Sequence, residues 1–349
     1  MTTENLPSIS IVMPCFNEAD HIADTAQAVV RHIEKSWPGR RYELLLVNDG
    51  STDGTEAALQ DICARLQHVR VHSFPYNKGR GAALKAGFAL SSCDYIIALD
   101  ADLSYDVGHI NEIMAVLDGD RSVDAVIVSA YMKGGLTQGV PFKRLFVSRA
   151  ANWLLSGFLH HNISTVTCVV RGYKVSTLKK CPLLENGKEL HLEILRKLEL
   201  MEAKIVEIPG RLVWRKSRKA ARRNNGLNIV TSAYGHLFYA VFTKPTKLLA
   251  FVSILVLGIG TYEGINVLRR FFMIYDPGYS ADLWWCVWHG LLLAFRDSPH
   301  TVVIAVTCLL LSAQLLTLLA LVSLAKFQHE ELLKNLFVLY AKKNEPQSR

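Results

Sequence analysis

No charged side chain occurs in the 25 residues from Thr301 to Ala325. At about 1.5 Å per residue, a helix of that length exceeds the ~30 Å hydrocarbon core of a bilayer, so the run reads as a membrane span. Acidic residues are missing from a second stretch: Arg211 to Lys247 holds nine Lys or Arg and no Asp or Glu, whereas Arg269 to His300 holds three of each sign. The seven cysteines include no Cys-x-x-Cys pair, which argues against a zinc knuckle and against a disulfide framework, and fits a reducing cytosol. Residues 1–10 have no basic start leading into a long apolar run, so no cleavable signal peptide is expected. There is no internal repeat, no low-complexity tract and no Walker phosphate loop.

Half of the residues are hydrophobic and the mean hydropathy is +0.19. A second candidate span, Leu248 to Leu268, lies between Lys247 and Arg269 and is interrupted near its end by Glu263 and Asn266. Basic residues gather on the cytoplasmic side of membranes, so the two spans form a hairpin that leaves both termini in the cytoplasm. Arg269 and Arg270 fall on the outer side, a smaller bias than the opposing one. Between the spans, Leu283 to Phe295 is too short to cross and carries Trp284, Trp285 and Trp288, which suit a helix at the outer interface. The pI of about 9.1 invites a nucleic-acid partner. The excess, however, sits beside the membrane, where anionic headgroups account for it without nucleic acid.

The rest of the chain alternates. Ser8 to Met13, Glu43 to Asn48, Val69 to Ser73, Tyr95 to Leu99 and Ala125 to Ser129 are short aliphatic or β-branched runs; helical patterns span Ala19 to Lys35, Gly54 to Leu66 and Gly79 to Leu90. Alternation of this kind predicts an α/β fold with a mostly parallel sheet, whose ligands gather beyond the carboxyl ends of the strands. Three polar clusters fall there: Pro14-Cys15-Phe16-Asn17-Glu18, Asn48-Asp49-Gly50-Ser51 and Asp100-Ala101-Asp102. The last puts two like charges where an apolar run stops, as expected if a divalent cation is held there. Asp49, at a strand end, could accept hydrogen bonds from a nucleobase, and Ser51, Thr52 or Asp53 could cap the helix that follows. Asn77-Lys78-Gly79-Arg80-Gly81 places two cations at a helix start, where backbone N–H groups favour phosphate.

Pro14 to Glu18, Asn48 to Thr55, Asn77 to Phe88 and Ala98 to Asp106 together resemble family 2 glycosyltransferases of the polyprenyl-phosphate branch, which includes dolichol-phosphate mannose synthase. The resemblance implies a GT-A domain over residues 1–210, a basic amphipathic juxtamembrane segment over 211–246, a transmembrane hairpin with an interfacial loop helix over 247–326 and a cytoplasmic tail over 327–349. It implies that Asp100 and Asp102 serve Mg²⁺ or Mn²⁺, and that Pro14, Asn17, Glu18, Asp49 and Lys78 line the nucleotide-sugar. Gly134-Gly135, Arg144, Ser148 and Asn152 look like the acceptor-side segment, Arg171-Gly172-Tyr173 like the family's Phe-Arg-x-Tyr strand, and Gly187 to Leu200 like its acidic helix, with Glu189 and Glu193 on one face. Ala130, Thr165 and Val169 depart from the arginine, aspartate and glycine usual at those places, all on the sugar and acceptor side.

The activity so implied is inverting transfer of one hexose from a UDP- or GDP-sugar to a polyprenyl phosphate at the cytoplasmic membrane face. An ionised phosphate acceptor needs cations rather than a base, and Arg144, Ser148, Arg171, Arg215 and Lys219 are the candidates. A hydroxyl acceptor on a glycolipid or polysaccharide would instead need Glu189 or Glu193 as base. A non-enzymatic membrane scaffold is the third reading, and both metal carboxylates are present against it. No Gln-x-x-Arg-Trp sequence supports processive synthesis. Relatives with such hairpins imply a homo-oligomer, with a tetramer as one form. His160, His161 and His191 match no common zinc spacing.

Overall fold

The computed structural model describes residues 6–142, 145–149, 152, 163–214, 245–274 and 283–343. The chain divides into two compact units, residues 1–240 with 333–349, and residues 241–332.

In the first unit, β1 (Ile9–Cys15), β2 (Tyr42–Asn48), β3 (Val69–Ser73), β4 (Tyr95–Ala98), β5 (Val123–Ser129), β7 (Arg171–Lys174) and β8 (Lys204–Pro209) make one sheet in the order β3-β2-β1-β4-β7-β5-β8. β7 runs antiparallel to both β4 and β5, and the other pairs are parallel. The first five strands fall within a few residues of their expected positions. The antiparallel insertion of β7 is not visible in the order of the elements.

Strand side chains alternate between two apolar layers. Ile9, Ile11 and Met13 of β1 pack with Leu44, Leu46 and Ile97. The helix α1 (Ile22–Ser36) covers that layer through Ile22, Ala26, Val29 and Ile33, a 3.6-period stripe. The helices α2 (Thr55–Arg65) and α4 (His109–Gly119) join it with Leu59 and Ile62 and with Ile110, Ile113 and Leu117. On the other face Val12, Leu45, Ile96 and Ala98 meet Leu84 and Phe88 of α3 (Arg80–Leu90) and Leu190, Ile194 and Leu198 of α6 (Leu190–Leu200). A short helix, α5 (Val175–Leu178), links β7 to the segment before α6. Both faces being covered explains the continuous apolar strands.

A two-stranded parallel ribbon of β6 (Leu136–Gln138) and β9 (Arg211–Val213) lies outside the main sheet. The first residues of the expected juxtamembrane segment are therefore strand, and the sheet-bearing unit runs past residue 210. Residues 215–244 of that segment lie outside the described residues, and its last two, 245–246, begin the next helix.

The second unit contains α7 (Pro245–Ile274), α8 (Leu283–Asp297) and most of α9 (Pro299–Lys343). Two stretches, Leu248–Met273 and Pro299–Leu333, are long and apolar enough to cross a membrane, and only 11% of the most apolar part of each is buried. A soluble core helix would be mostly covered. α9 continues beyond the apolar run to Lys343, so the expected tail begins as helix.

A Cβ on Gly172 of β7 would overlap Ile113 of α4, whereas one on Gly119 would meet nothing within 4 Å. Gly172→Ala should cost about 1–3 kcal/mol by overpacking, and Gly119→Ala should change stability by less than about 0.5 kcal/mol. Thermal unfolding of the two variants checks this; an unchanged midpoint for Gly172→Ala would contradict the packing of β7 beneath α4.

Candidate active site

β1 is the switch point of the sheet, with β2 on one side and β4 on the other. In register, Cys15 pairs with Asn48 and Val12 with Ala98, so the chain leaves all three strands at one edge. The cleft there has a volume of about 400 Å³, within the range of small-molecule sites. Pro14, Phe16, Glu18, Asp49, Asp100 and Asp102 line one part of it; Asn77, Gly79, Arg80, Gly187 and Lys188 line the rest.

Polar contacts between loops fix the rim. The Asp49 carboxylate accepts the backbone N–H of Lys78 at 2.7 Å and that of Gly79 at 3.1 Å. Burial pushes its pKa up against the pull of those donors. This grip places the start of α3 beside the strand ends. Gly50, at φ +65, makes the close approach possible, because a side chain there would collide with the backbone of Tyr76 and Asn77. Asn17 adopts a left-handed φ of 58 and accepts Thr52 N–H at 2.8 Å, while its own N–H donates to Ser51 Oγ at 2.9 Å. Asn17 thus joins two loops and is absent from the cleft lining. No side-chain cap closes the N-terminus of α2; Asp53 accepts the N–H of Thr55 at 3.0 Å instead.

Asp100 and Asp102 differ in setting. The Asp100 carboxyl is pushed up to about 6, first by burial, with Asp102 and Glu18 adding to the rise and Arg80 opposing it. Arg80 Nη1 lies 3.4 Å from Asp100 Oδ1. Asp102 is exposed and accepts Ser104 N–H at 2.9 Å and Ser104 Oγ–H at 2.5 Å. Among the described residues no group of three or more His, Cys, Asp or Glu could hold a metal. Two carboxylates with room for phosphate oxygens suit Mg²⁺ or Mn²⁺, which bind through one or two carboxylates and complete their shell with water and substrate phosphate.

Lys78, expected at the nucleotide, does not line the cleft. Its Nζ sits 4.4 Å from the centre of the Phe74 ring and 5.4 Å from that of Tyr76. The cations that do face the cleft are Arg80 and Lys188. Arg80 belongs to the Asn77-to-Gly81 motif, so its signal was present; Lys188 follows Gly187, at the start of the acidic-helix segment.

The acceptor-side residues separate into three groups. Arg144, Arg215 and Lys219, like His160 and His161, lie outside the described residues. Ser148 is half-buried, accepts the Tyr131 hydroxyl at 2.8 Å, and is followed by Arg149, whose guanidinium lies 5.7 Å from the Tyr131 ring centre. Asn152, also in that segment, accepts Val166 N–H at 2.7 Å and donates to Ser148 O. Arg171 does not reach an acceptor. It is fully buried and donates to the carbonyls of Cys168, His191 and Val166. Backbone carbonyls that the sheet leaves unpaired consume the guanidinium.

Glu193 is committed in the same way. Only 7% exposed, it accepts the N–H groups of Leu184 and Glu185 and pairs with Lys197 at 2.5 Å. Glu189 stands half-buried at the N-cap of α6 with helical dihedrals, and its carbonyl accepts the Glu193 N–H at 2.9 Å, so the two glutamates stand one helical turn apart. His191, buried with Nδ1 lacking a partner among the described residues, is held well below its usual pKa by burial and by the charges of Arg171 and Arg80, and is neutral.

Residues 10–181 match the model of Glycosyl transferase family 2. The match covers 172 of the 349 residues. The chain is 27% identical over 204 residues to a dolichol-phosphate mannosyltransferase of Pyrococcus furiosus, across 58% of its length and 55% of that protein. It is 29% identical over 178 residues to a polyprenol monophosphomannose synthase of Mycolicibacterium smegmatis, across 50% of the chain and 64% of that protein. The matched part therefore spans less than two thirds of either relative. A glucosyl-3-phosphoglycerate synthase from Mycobacterium tuberculosis, solved with Mn²⁺, UDP and phosphoglyceric acid, has a TM-score of 0.51 at 18% identity over 68% of this chain and 80% of its own. The transferase domain has the GT-A fold.

Breaking the buried Glu193–Lys197 pair with Glu193→Gln should destabilise the protein by about 3 kcal/mol, since it leaves a buried ammonium uncompensated. Denaturant unfolding measures it. A change below about 0.5 kcal/mol would contradict a structural role.

Proposed function

We propose that the protein transfers a single hexose, with inversion, from a UDP- or GDP-sugar to a polyprenyl phosphate at the cytoplasmic face of a membrane. The observation that carries this reading is the charge layout of the cleft: Asp100 and Asp102 at the end of β4, with Arg80 and Lys188 also lining it. Carboxylates for a cation and cations for a diphosphate meet in a space of nucleotide-sugar size. The names of the two mannosyl-transferring relatives support a lipid phosphate as acceptor.

Asp100 and Asp102 would hold Mg²⁺ or Mn²⁺, which when bound supplies positive charge to a leaving nucleoside diphosphate. Asp49 keeps the start of α3 against the strand ends, so that Arg80 faces the diphosphate as negative charge develops on it. Phe16, 40% exposed at the cleft, offers a ring face to the base. With Glu193 committed to Leu184, Glu185 and Lys197, Glu189 alone of the pair remains as a candidate base. A phosphate monoester, whose second pKa is about 6, is mostly dianionic at pH 7 and attacks without a base. Ser148 and Arg149, with Arg144, Arg215 and Lys219, are the proposed groups that hold it.

The two apolar helices would anchor the enzyme where such an acceptor lies, and the acid-free basic stretch before them sets the transferase domain on the cytoplasmic side. The full protein incubated with a panel of nucleotide sugars and short polyprenyl phosphates should yield, by mass spectrometry, one lipid heavier by one hexose. If no donor gives a glycosylated phospholipid, the proposal fails. Glu189→Gln should keep turnover within about tenfold of wild type; a loss of 100-fold or more would point to a base and hence to a hydroxyl acceptor.

A further inference from the structure

Asp49 is 3% exposed and lines the cleft, so any acceptor capacity it has left is offered to what the cleft holds. A carboxylate has two oxygens with about four lone-pair sites between them. Two backbone donors already occupy three of these. Lys78 N–H donates to Oδ1 at 2.7 Å, and Gly79 N–H is shared between Oδ1 at 3.2 Å and Oδ2 at 3.1 Å. Oδ1 is therefore filled, and Oδ2 keeps room for one further donor. The fold fixes this arrangement. A Cβ on Gly50 would strike the backbone of Tyr76 and Asn77, and one on Gly79 would strike the carbonyl of Asn186, so the start of α3 is wedged against Asp49 from both sides.

The other carboxylates that line the cleft are engaged. Glu18 pairs with His21 at 2.8 Å, Asp100 with Arg80 at 3.4 Å, and Asp102 accepts both the N–H and the hydroxyl of Ser104. Asp100 and Asp102 are in addition the proposed cation ligands. Asn77 completes the polar lining near Asp49 with a neutral amide, whose NH₂ group can donate to a carbonyl.

Resting on the reading that the cleft binds a nucleotide sugar, we propose that Asp49 selects uracil over guanine, so that the donor is a UDP-sugar. Uracil presents a single N–H, at N3, between two carbonyl oxygens. One N–H matches the one open site on Oδ2, and the Asn77 NH₂ group suits a flanking carbonyl. Guanine presents two parallel donors, N1–H and the 2-amino group, and pairs with a carboxylate by giving one to each oxygen. With Oδ1 filled, one of those donors enters the site without an acceptor. A donor stripped of water and left unpaired costs its full desolvation, and this is how a hydrogen-bonding site rejects a near relative of its substrate.

Equilibrium binding of four nucleotides to the full protein with Mn²⁺ tests the choice of base. UDP should bind about tenfold to hundredfold more tightly than GDP, the range set by one unpaired buried donor. Inosine diphosphate, which is GDP without the 2-amino group, should bind more tightly than GDP. 3-Methyl-UDP, whose N3 carries no hydrogen, should bind at least about tenfold more weakly than UDP. Asp49→Asn, which exchanges one oxygen for an NH₂ group, should shrink the preference for UDP over GDP to within about threefold. The comparisons on wild-type protein decide the matter even where that variant fails to fold. GDP bound as tightly as UDP, inosine diphosphate bound no more tightly than GDP, or 3-methyl-UDP bound as tightly as UDP overturns the proposal. Failure of the underlying reading looks different: if none of the four binds with Mn²⁺ present, the nucleotide site itself is overturned, whereas GDP binding as tightly as UDP overturns only the choice of base.

Discussion

The carboxylate of Asp100 is drawn back from solvent within electrostatic range of Asp102 and Glu18, and its pKa is pushed up to about 6 as a result. Burial of a charge without full compensation is costly, and folds keep such an arrangement where a ligand supplies the missing charge. Arg80 supplies part of it at 3.4 Å. The architecture around the cleft is the set of constraints that keep these groups together: three strands ending at one edge, an aspartate just past the second strand gripping the start of α3, and a glycine at φ +65 that lets two loops touch.

The second apolar layer of the sheet has a matching role. α3 and α6 share it, so the helix start carrying Arg80 and the loop carrying Lys188 are fixed to one body. Gly79 and Gly81 pack so closely on Asn186 and Gly187 that a side chain at either would strike backbone. Glu193 then draws the 184–185 backbone onto α6. Buried charge in this region works mainly on backbone, and Arg171 does the same for two carbonyls of the segment before β7 and one of α6.

Strand and helix periodicity made the five leading strands, three of the helices and the convergent edge legible in the sequence, because each depends on local pattern. The strand at Arg171 was expected from the resemblance, but its antiparallel place between β4 and β5 was not legible, since pairing across the sheet is non-local. Lys78 and Arg80 flank a glycine at φ +99, and that backbone turn alone decides that one cation meets aromatic rings and the other the cleft. Arg171 looked like a phosphate ligand and Glu193 like a base because a sequence does not reveal which backbone groups a fold leaves unpaired.

The central claim is that Asp100 and Asp102 hold a divalent cation that in turn carries a nucleoside diphosphate. Calorimetric titration of UDP and GDP into the full protein, with and without Mn²⁺, tests it most directly. At least one nucleotide should bind only when Mn²⁺ is present, and Asp102→Asn should abolish that binding while leaving the thermal midpoint of the metal-free protein nearly unchanged, since its side chain is exposed. Binding of equal affinity without metal, or undiminished in Asp102→Asn, would contradict the account.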